Sequence, residues 1–366
     1  MSLQPFSILE LSGTPHEIGR LHGQQARDLI QNSIANYRFL FKDSVGLEWP
    51  QVQRLARKYI NPINAYDPEL LEEMEGIAAG SGLVLEDIIA INARTELLYS
   101  NASDDTEGCT AVTVMPEKTD CQRLLWGQNW DYGPLVANSL LIFRIKQTHK
   151  LEIIMVAEAG QIGKIGINSC GMTTGLNALS APSDPQGIPV HVALRIMLNS
   201  NSLTSGTTFL ETIPVAGCGN LIFGSPHEVL YIEIGPDDFD VLYPTDGILV
   251  HANHYLSPRF YMLKNSKNQR AANTYIRNGR MRYLYNTLQQ PVSIEDMKRI
   301  FADHSDYPDS ICRHPREDRD PGKRVKTNYS VIFDPTMRQM HLACGNPCST
   351  PYEVYTVSNA NEGTPR

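Results

Sequence analysis

Cys109 has the clearest potential for covalent chemistry in this sequence. It follows Gly108 and begins an alternating run, Cys109-Thr110-Ala111-Val112-Thr113-Val114, that is typical of a β-strand. A thiol has a pKa near ~8.5, whereas a free α-amine has a pKa of about 7.7–8.0 and is a usable base at neutral pH. If the chain were cut between Gly108 and Cys109, one residue would carry both a nucleophile and its base. The pattern is therefore compatible with a self-cleaving precursor.

The alternative is that Cys109 is an ordinary buried strand cysteine, which is common in globular proteins. Gly108 is compatible with self-cleavage because glycine removes steric bulk beside the attacked carbonyl group and permits unusual backbone angles. The residues taken alone leave both interpretations open.

Acyl transfer by such a thiol would also need hydrogen-bond donors for a developing oxyanion. Side-chain amides near strand ends are the candidates, namely Asn253, which follows an apolar run, and Asn177, which lies in Gly-Leu-Asn-Ala-Leu. Each could equally be a turn asparagine that bonds to the backbone. His251 and His254 flank Asn253 and could form a metal pair or supply a base, but no third ligand is evident. We therefore expect structural histidines.

Asp131 and Arg313 are the candidate charged groups. Asp131 ends the polar run Gly127-Gln128-Asn129-Trp130-Asp131, and a carboxylate near the new amine would orient it and favour its charged form. A turn aspartate at a strand end is the alternative. Arg313 follows Ser310-Ile311-Cys312, and it could pair with Asp131 or hold a substrate carboxylate through two parallel hydrogen bonds.

Charge and cysteine usage limit the class of protein. The net charge of −8 argues against nucleic acid or an anionic membrane as a partner. Seven irregularly spaced cysteines, with no visible secretory signal, indicate reduced thiols rather than a disulfide framework. Cys344 and Cys348 are the only close pair in the sequence, and we find no convincing further ligands at zinc-site spacing. No metal site is therefore expected.

The predicted elements change type near Cys109. Residues 1–108 are predicted to be mainly helical, with start signals at Thr14-Pro15-His16-Glu17 and Asp67-Pro68-Glu69. Strands are predicted at 109–114, 124–129, 140–146, 152–158, 163–168, 220–223, 229–233, 239–243, 248–251, 329–333 and 340–343. Helices are predicted near 191–199, 207–213, 268–285 and 294–302. This order predicts an α+β protein with helices covering sheets, and not a doubly wound fold.

Residues 314–326 are rich in both signs of charge and contain two prolines. We expect a solvated loop. The alternative is a mobile flap whose basic side chains contact an anionic substrate, namely Arg316, Arg319, Lys323 and Arg324.

In their joint order these residues resemble the acyl-coenzyme A:isopenicillin N (6-aminopenicillanic acid) acyltransferase family of N-terminal nucleophile hydrolases. The resemblance covers nearly the whole chain. Its landmarks are Gly13-Thr14-Pro15-His16-Glu17-Ile18-Gly19, His22-Gly23, Glu75-Gly76-Ile77-Ala78, Asn92-Ala93-Arg94-Thr95-Glu96, Gly108-Cys109-Thr110, Gly127-Gln128-Asn129-Trp130-Asp131, Glu158-Ala159-Gly160, Ile162-Gly163-Lys164, Asn177-Ala178-Leu179, His251, Asn253-His254 and Ser310-Ile311-Cys312-Arg313.

The resemblance implies a four-layer αββα sandwich with a helical N-terminal segment. It implies cleavage between Gly108 and Cys109, with the helical α-chain 1–108 and the β-chain 109–366 remaining together as one composite domain. Cys109 would be the nucleophile and its new amine the base.

The resemblance also implies roles for the other candidates. Asp131 and Arg313 would frame the amine, and Asn253 would stabilise the oxyanion. Asn177 and Thr110 would line the site, and Ser310 falls in a segment associated with processing.

The implied reaction is transfer of an acyl group from acyl-coenzyme A to 6-aminopenicillanic acid or isopenicillin N, through a thioester on Cys109. Water in place of the amine would give amidase activity. No metal or prosthetic group is needed, because coenzyme A enters as part of a co-substrate. The alternatives are an amidase of the same mechanism that cleaves other N-acyl amides or small peptides, and an uncut, non-enzymatic binding module.

The C-terminal tripeptide Thr364-Pro365-Arg366 does not match a Ser-Lys-Leu peroxisomal address, whereas the resemblance implies that penicillin-producing members of the family carry a peroxisomal tripeptide. We therefore expect a cytoplasmic paralogue with small-molecule substrates and with neither nucleic acid nor membrane as a partner.

Replacing Cys109 with alanine is expected to give an uncut and inactive protein, since the thiol would be both the agent of cleavage and the nucleophile. Intact mass measurement of freshly purified protein distinguishes one full-length chain from two fragments. If the Cys109→Ala variant still splits before residue 109, self-processing by the thiol is wrong.

Overall fold

Two β-sheets face each other in the structure, and helices cover the outer face of each sheet. The computed structural model describes residues 6–99, 108–181, 186–260 and 272–359. Its four layers are helices, an eight-stranded sheet, a six-stranded sheet and a second set of helices. The predicted α+β fold class and its αββα layering are confirmed.

The N-terminal region is mainly helical, as predicted. Its helices are α1 (Pro15–Gln25), α2 (Arg27–Val45), α3 (Trp49–Ala56), α4 (Ile60–Tyr66), α5 (Pro68–Ser81), α6 (Leu85–Asn92) and α7 (Arg94–Tyr99). Both predicted start signals are present. The Thr14 N–H donates to Glu17 Oε2 at 2.9 Å as part of a reciprocal capping box, and the Glu69 N–H donates to Asp67 Oδ1 at 3.0 Å.

Helices α1 and α5 pack with their backbones in close contact. Gly19 and Gly23 on α1 lie against Gly76 and Gly80 on α5. A methyl group on Gly19 would overlap the carbonyl oxygen of Glu73. Gly19, Gly23 and Gly76 are among the residues that carry the family resemblance. Their lack of a side chain allows the two helix backbones to approach closely.

The strands follow the predicted order, with three additions. They are β1 (Ile8–Gly13), β2 (Gly108–Val114), β3 (Leu125–Tyr132), β4 (Leu140–Gln147), β5 (Glu152–Glu158), β6 (Ile165–Asn168), β7 (Thr173–Ala178), β8 (Gly219–Gly224), β9 (Val229–Ile234), β10 (Phe239–Leu242), β11 (Ile248–His251), β12 (Lys326–Asp334), β13 (Gln339–Ala343) and β14 (Glu353–Thr356). The remaining helices are α8 (Val190–Leu198), α9 (Leu203–Thr207), α10 (Ala272–Thr287) and α11 (Ile294–Phe301). The sequence did not predict β1, β7 or β14.

The eight-stranded sheet has the order β1-β4-β5-β6-β7-β8-β9-β10. Strand β1 lies at its edge and pairs in parallel with β4, so that Ile8 lies opposite Ile142 and Gly13 opposite Gln147. The N-terminal region therefore contributes a strand to a sheet whose other strands all follow residue 108.

Side chains of the N-terminal helices also hold the turn that follows β5. His22 Nε2 accepts from the Gly160 N–H at 3.0 Å, and Ser33 Oγ donates to the Ala159 carbonyl at 2.8 Å. Asn92 Nδ2 donates to the Gly160 carbonyl at 2.8 Å. Both regions contribute to these buried contacts, so the landmark residues His22 and Asn92 join the helical layer to the sheet.

The six-stranded sheet has the order β11-β2-β3-β12-β13-β14, which places β2 inside the sheet. Successive side chains of β2 alternate between its two faces. Cys109 and Ala111 pack in the core between the sheets, whereas Val112 and Val114 pack with Met281 and other residues of the layer formed by α10 and α11. None of the described helices combines the length and the apolar character needed to cross a bilayer.

The contact between α1 and α5 predicts opposite outcomes for two glycine-to-alanine changes. Gly19→Ala should lower the free energy of unfolding by about 1–3 kcal/mol, because the new methyl group forces two helix backbones apart. Gly279→Ala in α10 has no neighbouring atom within 4 Å and should raise that free energy by up to about 1 kcal/mol. Chemical denaturation of both variants measures the difference, and equal stabilities would contradict the packing described.

Candidate active site

The candidate site begins where β2 begins. Gly108 and Cys109 are consecutive residues of this strand, and they lie opposite Asp131 and Trp130 on β3. Cys109 is buried, with 2% of its surface exposed. The antiparallel pairing of β2 with β3 therefore brings the predicted carboxylate next to the predicted cleavage site.

Asn253 lies directly against the nitrogen of Cys109. The Cys109 N–H donates to Asn253 Oδ1 at 2.7 Å. Asn253 Nδ2 donates to the Ala178 carbonyl at 3.0 Å, and its backbone N–H donates to Thr274 Oγ1 at 2.7 Å. The amide oxygen thus faces the atom that cleavage would convert to an amine, while the amide nitrogen is bonded to the neighbouring sheet. To stabilise an oxyanion, as predicted, Asn253 Nδ2 would have to leave the Ala178 carbonyl or donate to both oxygen atoms.

Arg277 on α10 was not among the predicted site residues, and it bonds directly to the start of this strand. Its Nη1 donates to the Cys109 carbonyl at 2.7 Å and to Thr110 Oγ1 at 2.8 Å, and its Nη2 donates to Asn253 Oδ1 at 2.9 Å. The buried guanidinium group of Arg277 therefore holds both the backbone of Cys109 and the side-chain amide of Asn253.

The sequence does contain a pattern that indicates burial of Arg277. The buried residues Thr274, Arg277 and Met281 follow each other at helical spacing on the face of α10 that meets the sheet. An arginine on the buried face of a helix needs a hydrogen-bonding partner, because an unpaired buried charge is costly. The sequence alone cannot identify that partner, since Cys109 lies more than 160 positions away in the chain.

Asp131 is fully buried, and Thr327 Oγ1 donates to its Oδ1 at 2.7 Å. Burial raises the pKa of Asp131 to about 6, against the opposing effect of the Arg313 and Arg277 guanidinium groups. A Cβ atom on Gly108 would overlap Arg313 Nη1 and lie 3.1 Å from Asp131 Oδ2. Gly108 therefore leaves room for the two predicted charged groups at the predicted cleavage site.

Arg313 makes its ion pair with Asp309 and not with Asp131. Its Nη2 lies 2.8 Å from Asp309 Oδ1. Its backbone N–H donates to Thr327 Oγ1 at 2.9 Å, and its carbonyl accepts from Asn346 Nδ2 at 2.7 Å. Arg313 thus affects Asp131 through its charge and through the shared neighbour Thr327.

Asn177 and Ser310 have local partners. Asn177 Oδ1 accepts from Asn220 Nδ2 at 2.9 Å, and Asn177 precedes the Ala178 carbonyl that holds Asn253. Ser310 Oγ donates to the Cys312 carbonyl at 2.7 Å. Asn177 therefore lies one residue from the site, whereas Ser310 holds the turn that precedes Arg313.

A buried ionic cluster lies behind the strand that carries the thiol. Glu158 Oε2 lies 2.7 Å from Lys164 Nζ, and Glu158 Oε1 lies 3.5 Å from Arg94 Nε. Burial opposes ionisation of Glu158, but these two cations outweigh it and lower the pKa of Glu158 to about 2. Lys164 Nζ lies 3.9 Å from the ring centre of Trp130, the residue opposite Cys109. The cluster links α7 to both sheets.

The remaining candidates have structural surroundings. His251 is buried between Glu233 Oε1 and the Ala252 carbonyl, each 2.8 Å from one of its ring nitrogens, as expected for a structural histidine. In the charged segment 314–326, Arg316 pairs with Asp318 at 3.1 Å. The C-terminal tripeptide 364–366, on which the prediction of the cellular compartment depends, lies outside the described residues.

Comparison with known proteins now identifies the class. The family model described as acyl-coenzyme A:6-aminopenicillanic acid acyl-transferase matches residues 116–349. The chain belongs to this family, so the resemblance in the sequence is confirmed and the protein is an enzyme of the acyl-transfer or hydrolase type. The matched segment contains Asp131, Asn253 and Arg313 and begins after Cys109.

A particular relative matches nearly the whole chain. The chain is 29% identical over 359 residues to the acyl-coenzyme A:6-aminopenicillanic-acid-acyltransferase 40 kDa form of Emericella nidulans, covering 96% of each. Two solved structures are similar at a TM-score of 0.45. They are a mutant form of the conjugated bile acid hydrolase from Clostridium perfringens (11% identity, 68% of this chain and 98% of that one) and penicillin V acylase from Agrobacterium tumefaciens (12% identity, 67% and 84%).

The raised pKa of Asp131 predicts a specific dependence of stability on pH. Because the folded carboxyl group keeps its proton up to about pH 6 rather than the ordinary 3.8, its contribution to stability is lost as the pH rises between these values. The free energy of unfolding of the wild type minus that of Asp131→Asn should therefore fall by up to roughly 3 kcal/mol from pH 4 to pH 7.

Asp296→Asn provides the control with the opposite sign. Hydrogen bonds from Ser293 outweigh the partial burial of Asp296 and lower its pKa, so its contribution is lost as the pH falls. Denaturant titrations at several pH values measure both differences. If the difference in the free energy of unfolding between the wild type and Asp131→Asn does not change with pH, the raised pKa of Asp131 is contradicted.

Proposed function

We propose that the protein is an autoproteolytically activated acyltransferase that moves an acyl group from acyl-coenzyme A to 6-aminopenicillanic acid or isopenicillin N. The observation that carries the proposal is the fixed position of Cys109, with its nitrogen 2.7 Å from Asn253 Oδ1 and its carbonyl 2.7 Å from Arg277 Nη1. Because the chain belongs to the acyltransferase family, we interpret this arrangement as a site for acyl transfer.

In the proposed activation step, the Cys109 thiol attacks the carbonyl carbon of Gly108. The bond from that carbon to the Cys109 nitrogen breaks, the nitrogen takes a proton, and a thioester links the two residues. Water then hydrolyses the thioester, leaving a carboxylate on Gly108 and a free amine and thiol on Cys109. The space beside Gly108, bordered by Arg313 and Asp131, supports the proposal because a larger residue would collide there.

In the proposed acyl transfer, the new amine accepts the proton of the Cys109 thiol, and the sulfur attacks the thioester of acyl-coenzyme A. Coenzyme A leaves as a thiol and takes up that proton, and the acyl group remains on Cys109. The free amine of 6-aminopenicillanic acid then attacks this thioester, and its proton returns to the Cys109 side chain. With isopenicillin N, Cys109 would first take over the existing side-chain acyl group, releasing the same free amine, and water would then release that acyl group as a carboxylic acid. Asn253 and Arg277 hold the catalytic residue in place through both half-reactions.

The proposed fragments 1–108 and 109–366 would stay together after the cut. Strand β1 pairs with β4 along its whole length, and Arg94 of α7 lies in the buried cluster with Glu158. Breaking a buried ion pair by removing one partner costs about 3–5 kcal/mol, so separation of the fragments would be strongly opposed. Small molecules are the proposed substrates, and no cofactor beyond the thioester co-substrate is part of the mechanism.

The test compares acyl transfer with hydrolysis on the purified, processed protein. Aryl-acyl and aliphatic coenzyme A thioesters are supplied with and without 6-aminopenicillanic acid. Released thiol is followed with a chromogenic reagent and the acylated β-lactam by mass spectrometry. We expect the β-lactam product, and an acyl adduct on the peptide that begins with Cys109.

Controls separate the proposal from its alternatives. Cys109→Ala should lose at least ~10³-fold in rate, whereas Cys170→Ala, a half-buried thiol outside the site, should keep the wild-type rate. Thiol release without β-lactam product, beside fast cleavage of N-acyl amides, would instead indicate the amidase. A stable uncut chain with no thiol-dependent turnover would indicate the non-enzymatic binding module.

A further inference from the structure

Four side chains from two segments of the chain meet near Arg313. His304, Cys312, His314 and Cys348 each direct one nitrogen or sulfur atom to the same point, and all four atoms lie within 4.8 Å of one another. Three of them belong to the segment between α11 and β12, close to the predicted site, and Cys348 follows β13. In the sequence, Cys348 lies close to Cys344, but Cys344 is not part of this group.

The distances fit a tetrahedral metal site. His304 Nε2 lies 3.1 Å from His314 Nε2, while the sulfur atoms of Cys312 and Cys348 lie 3.7 and 3.6 Å from His314 Nε2. A tetrahedral zinc ion with bonds of about 2.0–2.3 Å to nitrogen and sulfur holds its ligand atoms roughly 3.3–3.8 Å apart. The four groups therefore stand near the positions that a shared ion would require.

The surroundings of Cys312 fit a metal thiolate. Its side chain is fully buried, and the Asn346 Nδ2–H donates to its sulfur at 3.4 Å. Such N–H donors to the ligand atoms orient a metal site and tune its charge.

We infer that His304, Cys312, His314 and Cys348 bind one zinc ion in a closed, four-coordinate structural site. Two thiolates with two imidazoles in a tetrahedron are a ligand set that zinc favours. On binding, the ion takes up both sulfur atoms as thiolates and two protons are released to solvent. No position is left open for water, so the ion stabilises the fold and does not take part in acyl transfer.

The site would fix the segment that carries Arg313. Cys312 is adjacent to Arg313 in the chain, and Asn346 donates both to the Cys312 sulfur and to the Arg313 carbonyl. A metal ion joining Cys312 to Cys348 would therefore hold the two segments that meet at Asn346. Arg313, which lies against Gly108, would be positioned through its backbone.

The experiment uses the full chain without a histidine tag. Zinc content is measured by elemental analysis after dialysis, and affinity by competition with a chromophoric chelator. Cobalt is then supplied in place of zinc, because thiolate-bound tetrahedral cobalt absorbs strongly in the visible region. We expect about one zinc per chain and a thermal midpoint that falls by several degrees when the ion is removed.

Matched variants assign the ligands. His304→Gln and Cys348→Ser change exposed residues, so both should fold, lose the metal and lose the cobalt bands. His227→Gln, also exposed, and Cys121→Ser, half-buried, should keep the metal. Zinc binding that is absent at micromolar free zinc, or equal in all four variants, would overturn the inference. So would a disulfide between Cys312 and Cys348 in protein purified without a reductant and never exposed to a chelator. None of these readouts depends on the proposed acyl transfer.

Discussion

The backbone at Cys109 is fixed from two sides, and the rest of the candidate site depends on this constraint. Asn253 holds the nitrogen of the residue and Arg277 holds its carbonyl, while Arg277 also donates to Asn253. A strand in the middle of a sheet is already rigid, and Arg277 adds directional bonds from a charged donor, which are about twice as strong as neutral ones. Substitution of Arg277 would therefore disturb the backbone of Cys109 and the amide of Asn253 together.

Two groups of buried charges in the described part of the chain differ in their effects. Near Cys109, Asp131 lies beside two guanidinium groups, yet burial still raises its pKa to about 6. Behind the strand, Arg94 and Lys164 outweigh the effect of burial and lower the pKa of Glu158 to about 2, so that Glu158 is ionised near neutral pH. The first group can change its protonation near neutral pH and is suited to chemistry, whereas the second is a permanent connection between helices and sheets.

The sequence predicted the elements whose signals are local. Thr14 and Asp67 start helices where expected, and the alternation from Cys109 to Val114 is a strand. Strand β1 was missed because it is a short edge strand whose partner, β4, lies more than 130 positions away. Arg277 was missed for the same physical reason, since its role comes from contacts made across two layers. The ion pair of Arg313 with Asp309 could have been predicted, because the two residues are four positions apart.

The position of β1 has a consequence for how the molecule can be taken apart. In an uncut chain, this strand and the sheet it joins belong to one molecule, so folding is a unimolecular event. After a cut before residue 109, the same pairing would hold two separate polypeptides, and its recovery from the unfolded state would depend on protein concentration. The cut protein would then persist through a slow unfolding rate more than through a reversible equilibrium.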